Sequence, residues 1–339
     1  MACEIIEHRI KNFRALTLTN GEYSLTILPE KGSDIISLRD EKTDTEFLWE
    51  SPNGLCSDAT TYEGGWQECF PTGGPAINYR GAQMPQDGEV QSLAWDVIAT
   101  TQDRDEVSIT LRVKTIKSPF MLTKKITLRT GTGMVEIDET AVNQGAEPLP
   151  LLWGHHIVFG GNFLNDACKI DSASKKIISS ALPENVLTGQ FEQNISGVWP
   201  LIKNKSGELI DISEVSPASC GTADLLFLKD FEDGWLAITN REKKVGIAYL
   251  FDPAIHPAIW MWQMYGGGAG YPWFGRAYAL GLQPFTGMPD PHADNIDAVA
   301  GLPIVAAGAA HTTRLRFLLF RGLKGVGRIS RDGVIVPRI

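Results

Sequence analysis

Residues 106–116 read EVSITLRVKTI, and Val107, Ile109, Leu111 and Val113 fall at every second position. Successive side chains of a strand point to opposite faces, so this spacing puts the four on one buried face. The segment WDVIATT (95–101) precedes it, with the polar triplet Asp103-Arg104-Asp105 between them, which predicts a hairpin. Further along, KKITLRTGTGMVEIDETAVNQGAEPLPLLW (124–153) reads as three strands broken by GTG and NQGAE. GWLAITNREKKVGIAYLF (234–251) predicts a hairpin around Asn240 and Arg241, and TRLRFLLF (313–320) alternates again. GRISRDGVIV (327–336) predicts a small hairpin turning at Asp332-Gly333.

Sustained helical periodicity is absent, and 34 glycines and 19 prolines suit many turns. Strands this numerous and closely spaced predict an all-β chain, a large antiparallel β-sandwich or barrel, rather than a parallel α/β sheet. There is no linker, low-complexity run or repeat. One β domain over residues 1–339 is expected, with a short C-terminal extension at about 321–339.

The composition is that of a soluble globular protein, 43% hydrophobic and 21% charged. A net charge of -9 argues against nucleic acid and anionic membranes as partners. The first residues, MACEIIEHRI, carry charges where a signal peptide needs an apolar core, and no apolar run would span a bilayer. Cys3, Cys56, Cys69, Cys168 and Cys220 are odd in number and scattered, which suits reduced thiols in a cytoplasm.

Several chemistries lack their motifs. No glycine-rich phosphate loop, no His-Glu-x-x-His or cysteine-rich ligand set and no Gly-x-Ser-x-Gly elbow occurs. His155 and His156 are adjacent, so in a strand they point to opposite faces and do not share a metal. Neither a cofactor nor a metal is expected.

Four stretches suit a small-molecule site. EGGWQECFPTGGPA (63–76) sets Trp66, Gln67 and Glu68 on a glycine-framed segment. MPQDGEVQSLAW (84–95) has a turn at Asp87-Gly88 followed by Glu89. PLLWGHHIVFGGNF (150–163) ends an apolar strand in His155 and His156, and histidine suits proton transfer near neutral pH. DPAIHPAIWMWQMYGGGAGYPWFGRAYALGLQPFTGMPD (252–290) places Trp260 and Trp262 two apart on one face, then a glycine-rich loop with Trp273 and Arg276. Aromatic faces stack on sugar rings, and arginine anchors hydroxyls or carboxylates; for any single tryptophan a place in the core is the commoner one, and the glycine loop ringed by aromatics is what favours a site.

The order of these segments resembles the galactose mutarotase (aldose 1-epimerase) superfamily over roughly residues 20–320. VNQGAEPLPLLWGHHIVFG resembles the family segment in which a turn, a proline and a strand lead to a catalytic histidine. Relatives usually continue His-Pro-x-Phe there; this chain has His156-Ile157-Val158-Phe159. ALGLQPFTGMPD resembles the strand that ends in a catalytic glutamate, and MPQDGEV a turn with a sugar-binding histidine before glycine. The resemblance implies a galactose mutarotase-like supersandwich with a carbohydrate cleft on one face. It implies mutarotation of a free aldose: a base takes the anomeric hydroxyl proton while an acid protonates the ring oxygen.

By its place in the motif His156 is the acid, and the base position falls on Gln283. An amide has no useful basicity, and losing a positioned base costs about 10²–10⁴ in rate. The sugar-binding histidine position carries Asp87. Glu68, Asp87 and Glu89 are the carboxylates that could serve as base instead. Trp66, Gln67, Asp87, Glu89, His155, Trp260, Trp262 and Arg276 are the expected sugar contacts. A non-catalytic sugar-binding or regulatory protein, or a reaction on a modified sugar, are the alternatives. The expected partner is a small carbohydrate, for a cytoplasmic monomer or homodimer.

Overall fold

A computed structural model describes residues 3–55, 64–181 and 189–338. Its strands pair antiparallel into two large sheets. The first has 14 strands among the described residues. Its middle runs Asp34–Asp40, Trp66–Cys69, Gly154–Phe159, Tyr278–Phe285, Ala258–Tyr265 and Thr222–Lys229. The second has 8 strands, with Ala310–Arg321, Met134–Asn143, Phe120–Arg129 and Glu106–Lys114 as neighbours. The expected strands at Glu106–Lys114, Trp235–Asn240 and Val245–Leu250 form, as do the hairpins that join them. The third strand read in residues 124–153 is only the pair Leu149–Pro150, because its prolines remove ladder donors.

The sheets pack face to face over an apolar interior. Val107, Ile109, Leu111 and Val113 are buried in it as the alternation requires. Trp66 of the first sheet meets Phe317 of the second with ring centres 4.4 Å apart, and Phe70 meets Phe120 at 5.0 Å. The C-terminal hairpin, Val326–Ile329 with Ile335–Pro337, lies on the far face of the second sheet, where Val326 and Ile329 pack against Trp235 and Phe320. Asp171 ties it down by accepting from Val326 N at 2.7 Å and pairing with Arg338.

The interior is not wholly apolar. Glu68 and Lys124, one from each sheet, form a buried ion pair at 2.8 Å. Glu68 also accepts from the Trp153 indole at 2.9 Å. Beside it, His155 Nδ1 accepts from the Trp66 indole N–H at 3.0 Å. An indole nitrogen only donates, so the ring hydrogen of His155 sits on Nε2 and faces Glu139 Oε2 at 2.9 Å. Burial alone would raise the Glu68 carboxyl; the Lys124 charge and the hydrogen bonds from Lys124 and Trp153 act against it, and Glu68 is held below the usual carboxylate range. Glu139 is pushed up, first by burial and then by the Glu68 charge.

A buried charge that loses its partner costs roughly 3–5 kcal/mol, whereas replacing both partners by packed apolar groups is often near neutral. Lys124→Met is therefore expected to destabilise by about 3–5 kcal/mol in urea unfolding. The double variant Lys124→Met/Glu68→Met should recover most of that loss; equal loss in single and double variants would contradict this role for the pair.

Candidate functional site

The same pairing that buries Glu68 and His155 turns their neighbours outward. Gln67 pairs with His156 across the ladder. Ile35 pairs with Trp66, which puts Asp34 beside Gln67. Gly154 pairs with Phe285 and Val158 with Gly281, a register that sets His156 opposite Gln283. Gln283 in turn pairs with Trp260. Directly opposed residues of an antiparallel ladder share a face. Asp34, Gln67, His156, Gln283 and Trp260 therefore make one row across five strands, on the face turned away from the second sheet.

His156 is half-buried, and burial lowers its pKa from the ordinary 6.5. The Asp87 carboxylate opposes that shift by its charge, and its partner Gly74 stands against Trp260 of the outward row, where a Cβ on Gly74 would lie 3.5 Å from the ring. Asp87 is fixed there by a tight turn with φ 60°. Its N–H donates to Gly74 O at 2.9 Å, and its Oδ1 accepts from Gly74 N at 2.7 Å. The next residue must be glycine: at Gly88, φ is +82° and a Cβ would lie 2.2 Å from Phe70 O.

Gln283 is 2% exposed, and its amide makes no hydrogen bond among the described residues. The amide lies back over Gly281, where a Cβ would stand 2.3 Å from Gln283 Nε2. Glycine two residues earlier in the strand is what gives this side chain its room. Trp262, next on the same face, has its ring centre 5.7 Å from that of His156. Trp49 and Trp273 close around it at 6.3 and 5.6 Å. Arg276 is exposed at the rim of this trio, donating to Asn53 Oδ1 at 2.9 Å.

Of the residues read from sequence, the structure gathers Gln67, Asp87, His156, Gln283 and Trp262 on one face, with Arg276 at its edge. The others stand elsewhere. Trp66, Glu68 and His155 point into the sandwich and are consumed by the buried network. Glu89 is buried and accepts from the backbone N–H groups of Ile116, Lys117 and Ser118, so it anchors a loop. Trp260 faces the right way but is stacked on Phe285 at 3.7 Å, with its indole N–H given to Gly287 O. Its ring is therefore not a platform for a sugar. Of the three carboxylates Glu68, Asp87 and Glu89, the first and last are engaged away from the outward row by these contacts.

Asp34, Lys31 and Trp49 were not singled out in the sequence. The row register reveals Asp34; its residue type carried no signal of its own. Trp49 lies outside the four segments and reaches the site only through the fold. Among the described residues no group of three or more His, Cys, Asp or Glu could hold a metal. No helix there is long and apolar enough to cross a membrane. Cys3, Cys69, Cys168 and Cys220 are free thiols, and Cys56 lies outside the described residues.

The sequence has no match among protein-family models and none among curated proteins. Solved structures do match. A galactose mutarotase-like protein from Clostridium acetobutylicum is 15% identical, over 95% of this chain and 99% of the other, with TM-score 0.69. A galactose mutarotase related enzyme from Lactobacillus acidophilus is 16% identical over 90% and 97%, TM-score 0.65. A galactose mutarotase-like protein from Lactobacillus casei is 19% identical over 90% and 100%, TM-score 0.59. At these identities the likeness shows the fold: this chain has the galactose mutarotase-like architecture expected from its segments.

The lowered pKa of His156 has a thermodynamic consequence. Its folded pKa lies below 6.5, so the unfolded chain takes up a proton first as pH falls. Its stabilising share is complete above pH 6.5 and is lost as pH drops toward the folded pKa. His256, lowered to about 3, and His311 add slopes of the same sign. Urea unfolding from pH 7.5 to 5 should show a smaller fall in stability for His156→Gln than for the native chain; identical slopes would contradict it.

Proposed function

We propose that the row around His156 is the sugar site of an aldose 1-epimerase-like isomerase, which interconverts the anomers of a free sugar by acid–base chemistry. The observation that carries this reading is a half-buried His156 in the outward row, next to the Trp262 ring, with the Asp87 carboxylate near enough for its charge to act on it. The likeness to structures described as galactose mutarotase-like supports the choice of reaction.

Mutarotation needs one group to accept a proton from the anomeric hydroxyl and another to protonate the ring oxygen. Asp87 accepts; protonated His156 donates; the C1–O5 bond breaks and the open-chain aldehyde rotates about C1–C2. Closure runs the same steps backwards, and the two groups end as they began. Burial makes charged His156 scarcer and a stronger acid, while the Asp87 charge keeps it attainable. Gln283, opposite His156, neither gives nor takes a proton; it holds a hydroxyl, for which an amide has both donors and an acceptor. Trp262 supplies the apolar face for the ring C–H groups.

Gln283 also motivates a second reading. An amide in the middle of the polar row is suited to binding without turnover, as in a non-catalytic sugar sensor.

Anomer exchange followed by NMR with a panel of free aldoses decides between them. The isomerase reading expects acceleration over buffer, a fall of about 10²–10⁴ in Asp87→Asn, and a faster Gln283→Glu variant. Its rate should decline as pH rises through the lowered pKa of His156, so the alkaline limb should sit below 6.5. No acceleration for any sugar, with sugar binding by calorimetry, would leave the sensor reading in its place.

A further inference from the structure

Gln67 stands between His156 and Asp34 in the row, and its amide is held in one orientation. Gln67 Nε2 donates to Asp34 Oδ2 at 2.8 Å. The Lys31 ammonium donates to the same Oδ2. Lys31 and Asp34 are both 2% exposed. An oxygen that already accepts from an ammonium presents lone pairs, so the group of Gln67 facing it is the NH₂. Burial pushes the Asp34 carboxyl up, and Lys31 and Gln67 act against that. A proton on Asp34 would sit on Oδ1, which has no partner among the described residues, and Oδ2 would still accept.

The loop that carries this pair allows it little slack. Asp34 N donates to Lys31 O at 2.9 Å, closing a tight turn. Gly32 within it has φ +59°, and a Cβ there would lie 2.7 Å from Asp34 Oδ1 and 2.5 Å from Gln91 O. The carboxylate is thus wedged between this turn and Gln67. Gln67 pairs directly with His156, and opposed Cβ atoms lie about 4.5–5.5 Å apart, so with its NH₂ turned to Asp34 the Gln67 Oε1 is the amide atom left for the His156 side of the row.

We infer that Asp34 is a positioning residue: by holding the NH₂ of Gln67 it presents Gln67 Oε1 as a hydrogen-bond acceptor beside His156, so that this subsite takes a ligand hydroxyl and rejects a group that only accepts. The inference rests on the sugar-site reading above for its ligand. It goes beyond that reading by assigning the sense of one hydrogen bond and the buried pair that sets it. A site built to pair with a hydroxyl discriminates strongly against an analogue that cannot donate, because a buried acceptor is left unpaired.

Two measurements test it on the full-length chain. In ¹⁵N NMR, the Gln67 side-chain NH₂, assigned by its loss in Gln67→Met, should be protected from exchange in the native protein. Protection should persist in Asp34→Asn, whose single carbonyl can take the Oδ2 place and keep both bonds. It should vanish in Asp34→Ala. Calorimetry then compares free aldoses with their monodeoxyfluoro analogues, in which fluorine accepts but does not donate.

At one ring position the native protein should lose at least about tenfold in affinity on OH→F exchange. Asp34→Asn should keep that discrimination, and Gln67→Met should abolish it while binding hydroxyl and fluoro sugars alike. A freely exchanging Gln67 NH₂, or OH→F losses unchanged in Gln67→Met, would overturn the inference. If Asp34→Ala does not fold, Asp34→Asn and Gln67→Met still decide it. A protected NH₂ in a protein that binds none of the sugars would sink the sugar-site reading and, with it, the hydroxyl reader, while the orientation of Gln67 would stand.

Discussion

The register between Trp66–Cys69 and Gly154–Phe159 governs this molecule. Gln67 faces His156, and one step along Glu68 faces His155. Because a strand alternates its side chains, that single pairing sends Glu68 and His155 into the sandwich and Gln67 and His156 out of it. A slip of one residue would exchange the two sets and bury the wrong polar groups. The buried Glu68–Lys124 and His155–Glu139 contacts hold the register, since each finds its partner on the opposite sheet. The outward row thus depends on a polar arrangement buried in the interior.

The two faces treat charge differently. Inside, Lys124 meets Glu68 at 2.8 Å and His155 meets Glu139 at 2.9 Å, all four closed from water, so their role is structural. Outside, His156 is half-buried and its charge is set by a balance between burial and Asp87. Such a balance is what proton transfer requires, and a fully paired interior group does not have it. Lys31 and Asp34 fall between the two cases. They are buried and paired like the interior groups, yet Asp34 lies in the outer row and accepts from Gln67 there.

Much of the fold was legible in the sequence, because alternation and turn residues are local signals. Val107 to Val113, the Asn240 turn and the Asp332-Gly333 turn each declare themselves within a dozen residues. The site was legible only in part. The order of their segments singles out His156, Gln283 and Asp87, which the structure brings to one face. Trp66, Glu68 and His155 belong to the same segments, and segment order does not tell inward from outward residues. That requires knowing which face the second sheet covers. Trp260 shows a further limit: its face was read correctly, but the stacking partner Phe285 comes from another strand. Asp34 carries no signal in the sequence because its meaning comes from Gln67, more than thirty residues away and on the next strand of the row.

The central claim is that the outer row, not the interior network, meets a sugar. Titration of the protein with free aldoses while observing the histidine ring resonances tests it most directly. The account predicts saturable shifts of the His156 ring, with His155 unmoved behind the sheet. Shifts of His155 with His156 unmoved, or saturable sugar binding that leaves both rings unchanged, would contradict it.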